Sequence, residues 1–239
     1  MPDRSKRPPH NQRLIRLIGI AVLLAVLLLS GLASLGRNSA EQRIARSLGP
    51  VSTSTYGSPP NAEPFGRAWG PVDAPIQVIE YVDYECESCG YFARNDEHAV
   101  IEQFAAGGRV RFMIRNAPLH GEGARNAAAA AYCAAEQDAF WPMHDSLFLN
   151  QPQTHGSGAQ AFSAARLQDI AAGLGLDLAA FTDCYEAGNA HTQVDADLVA
   201  AQQAGVTGTP TFVINGTVYP ALLDSADVRR IFADLGVTP

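Results

Sequence analysis

Cys86 and Cys89 stand three positions apart, in Cys86-Glu87-Ser88-Cys89, where an apolar run from Ile76 to Tyr84 gives way to a helix-like stretch, Tyr91 to Ala106. Two sulfurs at that spacing can close into a small disulfide or open to a dithiol. A helix start offers unpaired N–H groups and partial positive charge, which stabilise a thiolate and lower the pKa of the first cysteine. The chemistry this placement permits is thiol–disulfide exchange. Far along the chain, Gly208-Thr209-Pro210-Thr211 precedes a second apolar run, Phe212 to Ile214. The competing reading of the cysteine pair is half of a zinc site, which needs four ligands when closed. No second Cys-x-x-Cys and no His-x-x-His accompanies it, so neither a metal nor a cofactor is expected. His98, His120, His144, His155 and His191 show no ligand spacing and read as structural or exposed, and Asp195 and Asp197 as a solvated helix face.

The elements that must position these residues follow from hydrophobic patterning. Ile76 to Tyr84 reads as a strand, Tyr91 to Ala106 as a helix closed by Gly107-Gly108, and Arg109 to Arg115 as a strand, together a parallel βαβ unit. Thr211 to Ile214 and Thr217 to Tyr219 flank Asn215-Gly216, a two-residue hairpin signal. A last amphipathic helix spans Ser225 to Leu235 and ends at Gly236. The stretches between, Gly123 to Glu136, Phe140 to Leu149, Ala164 to Gly173, Leu178 to Ala187 and Ala190 to Ala204, are helical in pattern, with no β-rich run among them. The expectation is an α/β domain whose βα and ββα halves are separated by an all-helical insertion. Phe140, Trp141, Phe148, Phe162 and Phe181 are its expected core.

Charge is divided unevenly. Residues 1–46 carry eight Lys/Arg against Asp3 and Glu41, whereas the remainder carries nine Arg against twenty-two acidic residues. An acidic body is repelled by a phosphate backbone, which argues against nucleic-acid binding. The basic head of residues 1–16 precedes nineteen uncharged residues, 17–35, long enough to cross a bilayer or to serve as a signal peptide with Gly31-Leu32-Ala33 near a cleavage point. Positive residues ahead of it favour a cytoplasmic N-terminus and an exported body. Residues 36–64, rich in Ser, Thr, Pro and Gly, read as a flexible linker. In an oxidising compartment four cysteines favour disulfides. With Cys86 and Cys89 as one pair, Cys133 and Cys184 remain as the other, read as a structural bridge closing a loop of about fifty residues, the alternatives being a redox relay or two inert buried thiols. The chain-entropy model assigns such a link about 4 kcal/mol.

The segment Glu80-Tyr81-Val82-Asp83-Tyr84-Glu85-Cys86-Glu87-Ser88-Cys89, the stretch Asn116-Ala117-Pro118-Leu119, the run from Tyr132-Cys133 to Phe140-Trp141, and Gly208-Thr209-Pro210-Thr211-Phe212 together resemble the DsbA-like family of thiol:disulfide oxidoreductases, in particular its membrane-tethered bacterial branch. The resemblance implies a thioredoxin fold over residues 65–239, with the helical insertion at about 120–204. It implies catalysis by Cys86, the attacked sulfur, and Cys89, with Glu80 beneath them as proton acceptor, and substrate positioning by Thr209 and a cis Pro210. It further implies donation of the Cys86–Cys89 disulfide to thiol-containing exported proteins and reoxidation by a membrane quinone-linked protein, DsbB-like or VKOR-like. A monomer is expected, held at the membrane by its N-terminal segment with the catalytic domain outside, or free in the periplasm or medium if that segment is cleaved. The alternatives are a membrane-tethered thioredoxin-like reductase and a redox-inactive peptide-binding chaperone. This sequence departs from the family in Glu87-Ser88, where many relatives have a proline and then a histidine. With Glu85 on the other side, Glu87 is expected to make Cys86 less acidic than in the strongest oxidants.

Overall fold

Alternation of buried and half-buried residues along Ile76–Val82 marks a strand with one face in the core, and that strand is the centre of the sheet. In the computed structural model of the chain, residues 15, 17–27, 49–55, 67–105, 107–152, 158–220 and 224–237 are described. Strand β1 (Ala68–Trp69) is followed by β2 (Ile76–Val82), helix α1 (Glu87–Phe92), a π-helical turn (Ala93–Glu97), α2 (His98–Ala105) and β3 (Val110–Asn116). Six helices come next: α3 (Glu122–Ala135), α4 (Phe140–Leu149), α5 (Gly158–Ala161), α6 (Ala164–Gly173), α7 (Leu178–Ala187) and α8 (Asn189–Gln203). The chain then returns to the sheet as β4 (Thr211–Ile214) and β5 (Thr217–Pro220) before α9 (Ser225–Asp234).

The sheet order is β1-β3-β2-β4-β5. β2 and β3 run parallel, which the α1–α2 crossover permits, and the other neighbours are antiparallel. Asn215 and Gly216 turn the β4–β5 hairpin with positive φ of 48° and 83°, the left-handed pair that a two-residue hairpin needs. On one face, Val78, Val82, Ile114 and Phe212 meet the α1–α2 arm and α9, with Phe92 against Phe212 and Phe104 against Phe232. The opposite face carries a smaller cluster, Tyr81, Ala117, Val213, Ala201 and Val206, under the end of α8. This is a thioredoxin fold with a helical insertion, as the sequence leads one to expect.

The insertion is built around α3. Its alanines 127 to 131 are all buried, so this part of α3 is enclosed on every side by its neighbours, while Glu122 and Arg125 at its start reach solvent. Cys133 on α3 is joined to Cys184 on α7 by a disulfide. Asp197 on α8 does not lie on a solvated face. It is buried and accepts hydrogen bonds from the Asn116 N–H and the Tyr132 hydroxyl, and it pairs with Arg67 at 3.2 Å, tying the insertion to the end of β3. Its neighbour Asp195 is exposed and pairs with Arg125.

The chain divides into units 1–47 and 48–239. In the first, residues 17–27 are helical, and residues 28–35 of the expected span lie outside the described residues. Among the described residues no helix is long and apolar enough to cross a membrane. Of the segment read as a linker, residues 49–55 lie along α4. There Ser52 N–H bonds Asn150, Ser54 bonds Ser146 and Asp145, and the Gly49 carbonyl accepts from Arg166. Residue 65, where the domain is expected to start, and His155 lie outside the described residues.

Candidate active site

Cys86 is the N-cap of α1, with an extended backbone (φ −74°, ψ 118°) and its carbonyl accepting from Gly90 N–H at 3.1 Å. Its sulfur therefore sits over the first, unpaired N–H groups of the helix. Across from it the chain makes a cis peptide at Thr209–Pro210, and the Thr209 carbonyl lies 3.1 Å from Cys86 Sγ. The structure thus brings Cys86, Cys89, Thr209 and Pro210 together, and both cysteines are free thiols.

The two sulfurs differ sharply. Hydrogen bonding from the Cys89 thiol, helped by Thr209 and the N–H groups of Cys89 and Ser88, outweighs burial and lowers the Cys86 pKa to about 5. Cys89 is 1% exposed, and burial first, then the closeness of Cys86 and Glu80, pushes its pKa well above the ordinary thiol value. Cys86 is therefore an acidic thiol, though its pKa stays above the value of about 3.5 of the strongest oxidants, and neither Glu85 nor Glu87 is among the main causes of its shift. Glu85 turns away to the start of α3, where it bonds the backbone at Ala124 and lies against two glycines. A Cβ on Gly123 or Gly158 would come within 2.5 Å or 2.0 Å of its carboxylate. Glu87 lies near the Arg94 guanidinium. Both negative charges are thus occupied elsewhere.

Glu80 points from β2 into the face covered by the redox helix, 1% exposed. Burial, and then the neighbouring Glu97 carboxyl, raise its pKa well above the ordinary carboxylate value. A carboxyl whose pKa is raised, beside a buried thiol, is equipped to exchange a proton with it.

Three further residues hold the site, and two of them, Gln151 and His120, carry no sequence signature. Gln151, just past α4, donates to the Cys86 carbonyl at 2.6 Å and to the Tyr84 carbonyl at 3.2 Å. It lies so close to the redox helix that a Cβ on Gly90 would fall 2.0 Å from its side-chain oxygen. Asp83 is buried beneath the turn that carries Cys86 and accepts from Glu85 N–H, Leu119 N–H, His120 N–H and the His120 ring. His120 is thereby fixed to the cysteine turn from a different loop. Burial opposes its cationic form, but Asp83, with the charges of Cys86 and Glu85, outweighs it, and the His120 pKa rises. A histidine absent from the Cys-x-x-Cys motif is supplied from outside it. His120→Ala is expected to raise the Cys86 pKa by roughly half a unit, the charge being partly screened at this half-exposed position. Thiolate absorbance followed against pH checks this, and an unchanged midpoint would show that His120 does not act on Cys86.

A sequence model of the thioredoxin family matches residues 63–234. Among solved structures, oxidised BdbD from Bacillus subtilis is 26% identical, with a TM-score of 0.64 over 77% of this chain and 97% of that one. Wolbachia pipientis alpha-DsbA1 has a TM-score of 0.61 over 71% of this chain and 89% of that one, and at 22% identity the likeness speaks to the fold. Among curated proteins, disulfide bond formation protein D of Bacillus subtilis (strain 168) is 29% identical over 170 residues, 67% of this chain and 72% of that protein. A Salinispora tropica protein named Na(+)/H(+) antiporter NhaA 3 is 38% identical over 176 residues, 71% of this chain but 25% of its own length. The chain thus spans about a quarter of the antiporter it matches.

Proposed function

Because the chain belongs to the thioredoxin family, in its DsbA-like branch, we propose that it is an exported thiol:disulfide oxidoreductase that donates the Cys86–Cys89 disulfide to thiol-containing exported proteins. A substrate thiolate attacks Cys86 Sγ of the oxidised pair, and Cys89 leaves and takes up a proton. A second substrate thiolate then attacks the substrate sulfur of the mixed disulfide and expels Cys86 as a thiolate. Two electrons pass from the substrate to the enzyme, the disulfide is handed to the substrate, and the enzyme is left as a dithiol.

The observation that carries this reading is the inequality of the two sulfurs. With a pKa of about 5, Cys86 is a stable thiolate at neutral pH and a good leaving group. Both effects favour the reduced enzyme, and so favour handing the disulfide on. The same inequality weighs against the tethered reductase, whose dithiol must be easily oxidised, and two free thiols weigh against a redox-inactive chaperone. Thr209 and Pro210 position the substrate backbone beside Cys86, Glu80 serves Cys89, and the Cys133–Cys184 bridge holds the insertion.

Reoxidation falls to a membrane quinone-linked protein of the DsbB-like or VKOR-like kind. Residues 17–35 hold the chain in the membrane, or direct its export if cleaved. The helix of residues 17–27 supports this, since Leu17, Ile18, Val22, Leu23 and Leu27 are all exposed apolar side chains.

The test uses the oxidised chain and a reduced, denatured disulfide protein. Native disulfides should form in the substrate while two enzyme thiols appear for each. If the reduced chain instead opens substrate disulfides and the oxidised chain forms none, the enzyme is a reductase.

A further inference from the structure

Beneath Cys89 lies a line of buried polar groups, of which the reaction just described uses only the first. Glu97 belongs to the π-helical turn between α1 and α2, a turn whose extra residue rotates its side chain into the core, where it is 1% exposed. His144, fully buried on α4, sets Nε2 at 3.1 Å from Glu97 Oε2 and Nδ1 at 3.1 Å from the hydroxyl of Tyr84. In the tautomer in which the Tyr84 hydroxyl donates to Nδ1, Nε2 carries the hydrogen and donates to Glu97 Oε2. That leaves Glu97 Oε1 and Glu80 Oε2, each buried and without a donor, on carboxyl groups within hydrogen-bonding reach of each other.

Two carboxylate oxygens cannot face each other in a dry interior as bare anions. Neighbouring carboxyls of this kind hold one proton between them, and the proton belongs to the pair. We propose that Glu80 and Glu97 share a single proton that is passed to Cys89 when the substrate thiolate breaks the Cys86–Cys89 bond, with His144 and Tyr84 as positioning residues that hold Glu97 in place to share it. The step balances: the substrate thiolate bonds to Cys86, Cys89 leaves as a thiolate, and the proton moves from the carboxyl pair to Cys89 sulfur. When the enzyme is reoxidised, Cys89 returns the proton to the pair as it attacks the mixed disulfide at Cys86. Glu97 thereby becomes the second half of a proton donor whose first half alone was legible in the sequence. The titratable groups facing the pair from the packed elements are Cys89 of α1, Tyr84 of the cysteine turn, and His144 and Asp145 of α4, whose ring nitrogen and carboxylate oxygen lie within 4.8 Å of a Glu97 carboxylate oxygen and of each other. Asp145 is also bonded to His98 at 2.9 Å. The flanking positions on β3 and β4, Ile114 and Phe212, are apolar.

The inference rests on Cys86 and Cys89 being the redox pair, and the experiment separates the two. Infrared spectroscopy of the full chain at neutral pH should show the carbonyl stretch of a buried protonated carboxylic acid. Both Glu80→Gln and Glu97→Gln should abolish it, because in either variant the new amide donates to the surviving carboxylate and the shared proton is lost. In Glu97→Gln, the pH at which reduction of the oxidised enzyme by dithiothreitol changes rate should also move down, a change that a purely structural role for Glu97 would not produce. A wild-type chain with no such band, or a band that survives Glu97→Gln in the folded variant, overturns the sharing. A band that behaves as expected in a chain whose disulfide dithiothreitol does not reduce would leave the sharing standing and defeat the redox assignment instead.

Discussion

Cys89→Ser, treated with oxidised glutathione, should take up one glutathione per chain at Cys86 and stop there, with disulfide transfer at the uncatalysed rate. The Cys86 thiolate attacks the glutathione disulfide and releases one glutathione, and no second protein thiol remains to resolve the adduct. In Cys86→Ser, Cys89 should stay unmodified under the same conditions. The difference does not come from thiolate fraction alone. Lowering a thiol pKa raises the fraction ionised but lowers the intrinsic nucleophilicity, and at neutral pH the two nearly cancel. Access separates the sulfurs: Cys86 faces the cis-proline loop at the site's mouth, whereas Cys89 is 1% exposed and held protonated by burial. Intact mass spectrometry reads both variants. Modification of Cys89 in Cys86→Ser at a rate matching that of Cys86 in Cys89→Ser would show that the order of attack is wrong.

The reduced chain should also gain stability over the oxidised chain as pH rises from below 5 towards neutrality. Cys86 has a pKa of about 5 in the folded, reduced protein, against about 8.5 for an unfolded cysteine. The group is an acid with a depressed folded pKa, so its contribution is fully present above about pH 8.5 and is lost as pH falls through about 5. At pH 7 it amounts to about 2 kcal/mol, after allowing for solvent screening at this site. The same free energy raises the reduction potential by about 40 mV relative to an unstructured pair. Urea denaturation of both redox forms between pH 4 and pH 9 should show the gap opening over this interval. In Cys86→Ser the corresponding pH dependence should vanish, and a wild-type gap that stays flat across the range would mean that Cys86 is not ionised in the folded protein.

The parts of the site that the sequence revealed are those written in local patterns. The cysteine pair follows the alternation of Ile76 to Tyr84 and stands at the start of α1, and the Thr-Pro step precedes β4, so their meeting follows from the fold class. The all-helical insertion was equally legible, because nothing β-like interrupts it. What stayed hidden depends on partners far apart in the chain. His120 and His144 are solitary in the sequence, and each acquires its role from a residue more than thirty positions away, Asp83 or Glu97. Gln151 looks like any loop residue until α4 brings it under the Cys86 carbonyl. Glu85 illustrates the opposite error. Its charge beside Cys86 suggested a penalty on the thiolate, but the two glycines that receive its side chain, Gly123 and Gly158, lie 38 and 73 positions downstream. Charge patterns read along a chain give proximity in sequence, and the direction in which a side chain leaves the backbone decides whether that proximity matters.

The reduction potential of the Cys86–Cys89 pair in the full chain, measured by equilibration against glutathione, tests the central claim most directly. An enzyme that donates disulfides, with Cys86 held as a thiolate, should equilibrate well above the value of about −270 mV typical of thioredoxin and towards the value of about −120 mV of a strong oxidant. A potential at or below that of thioredoxin would contradict the account and make the protein a reductase.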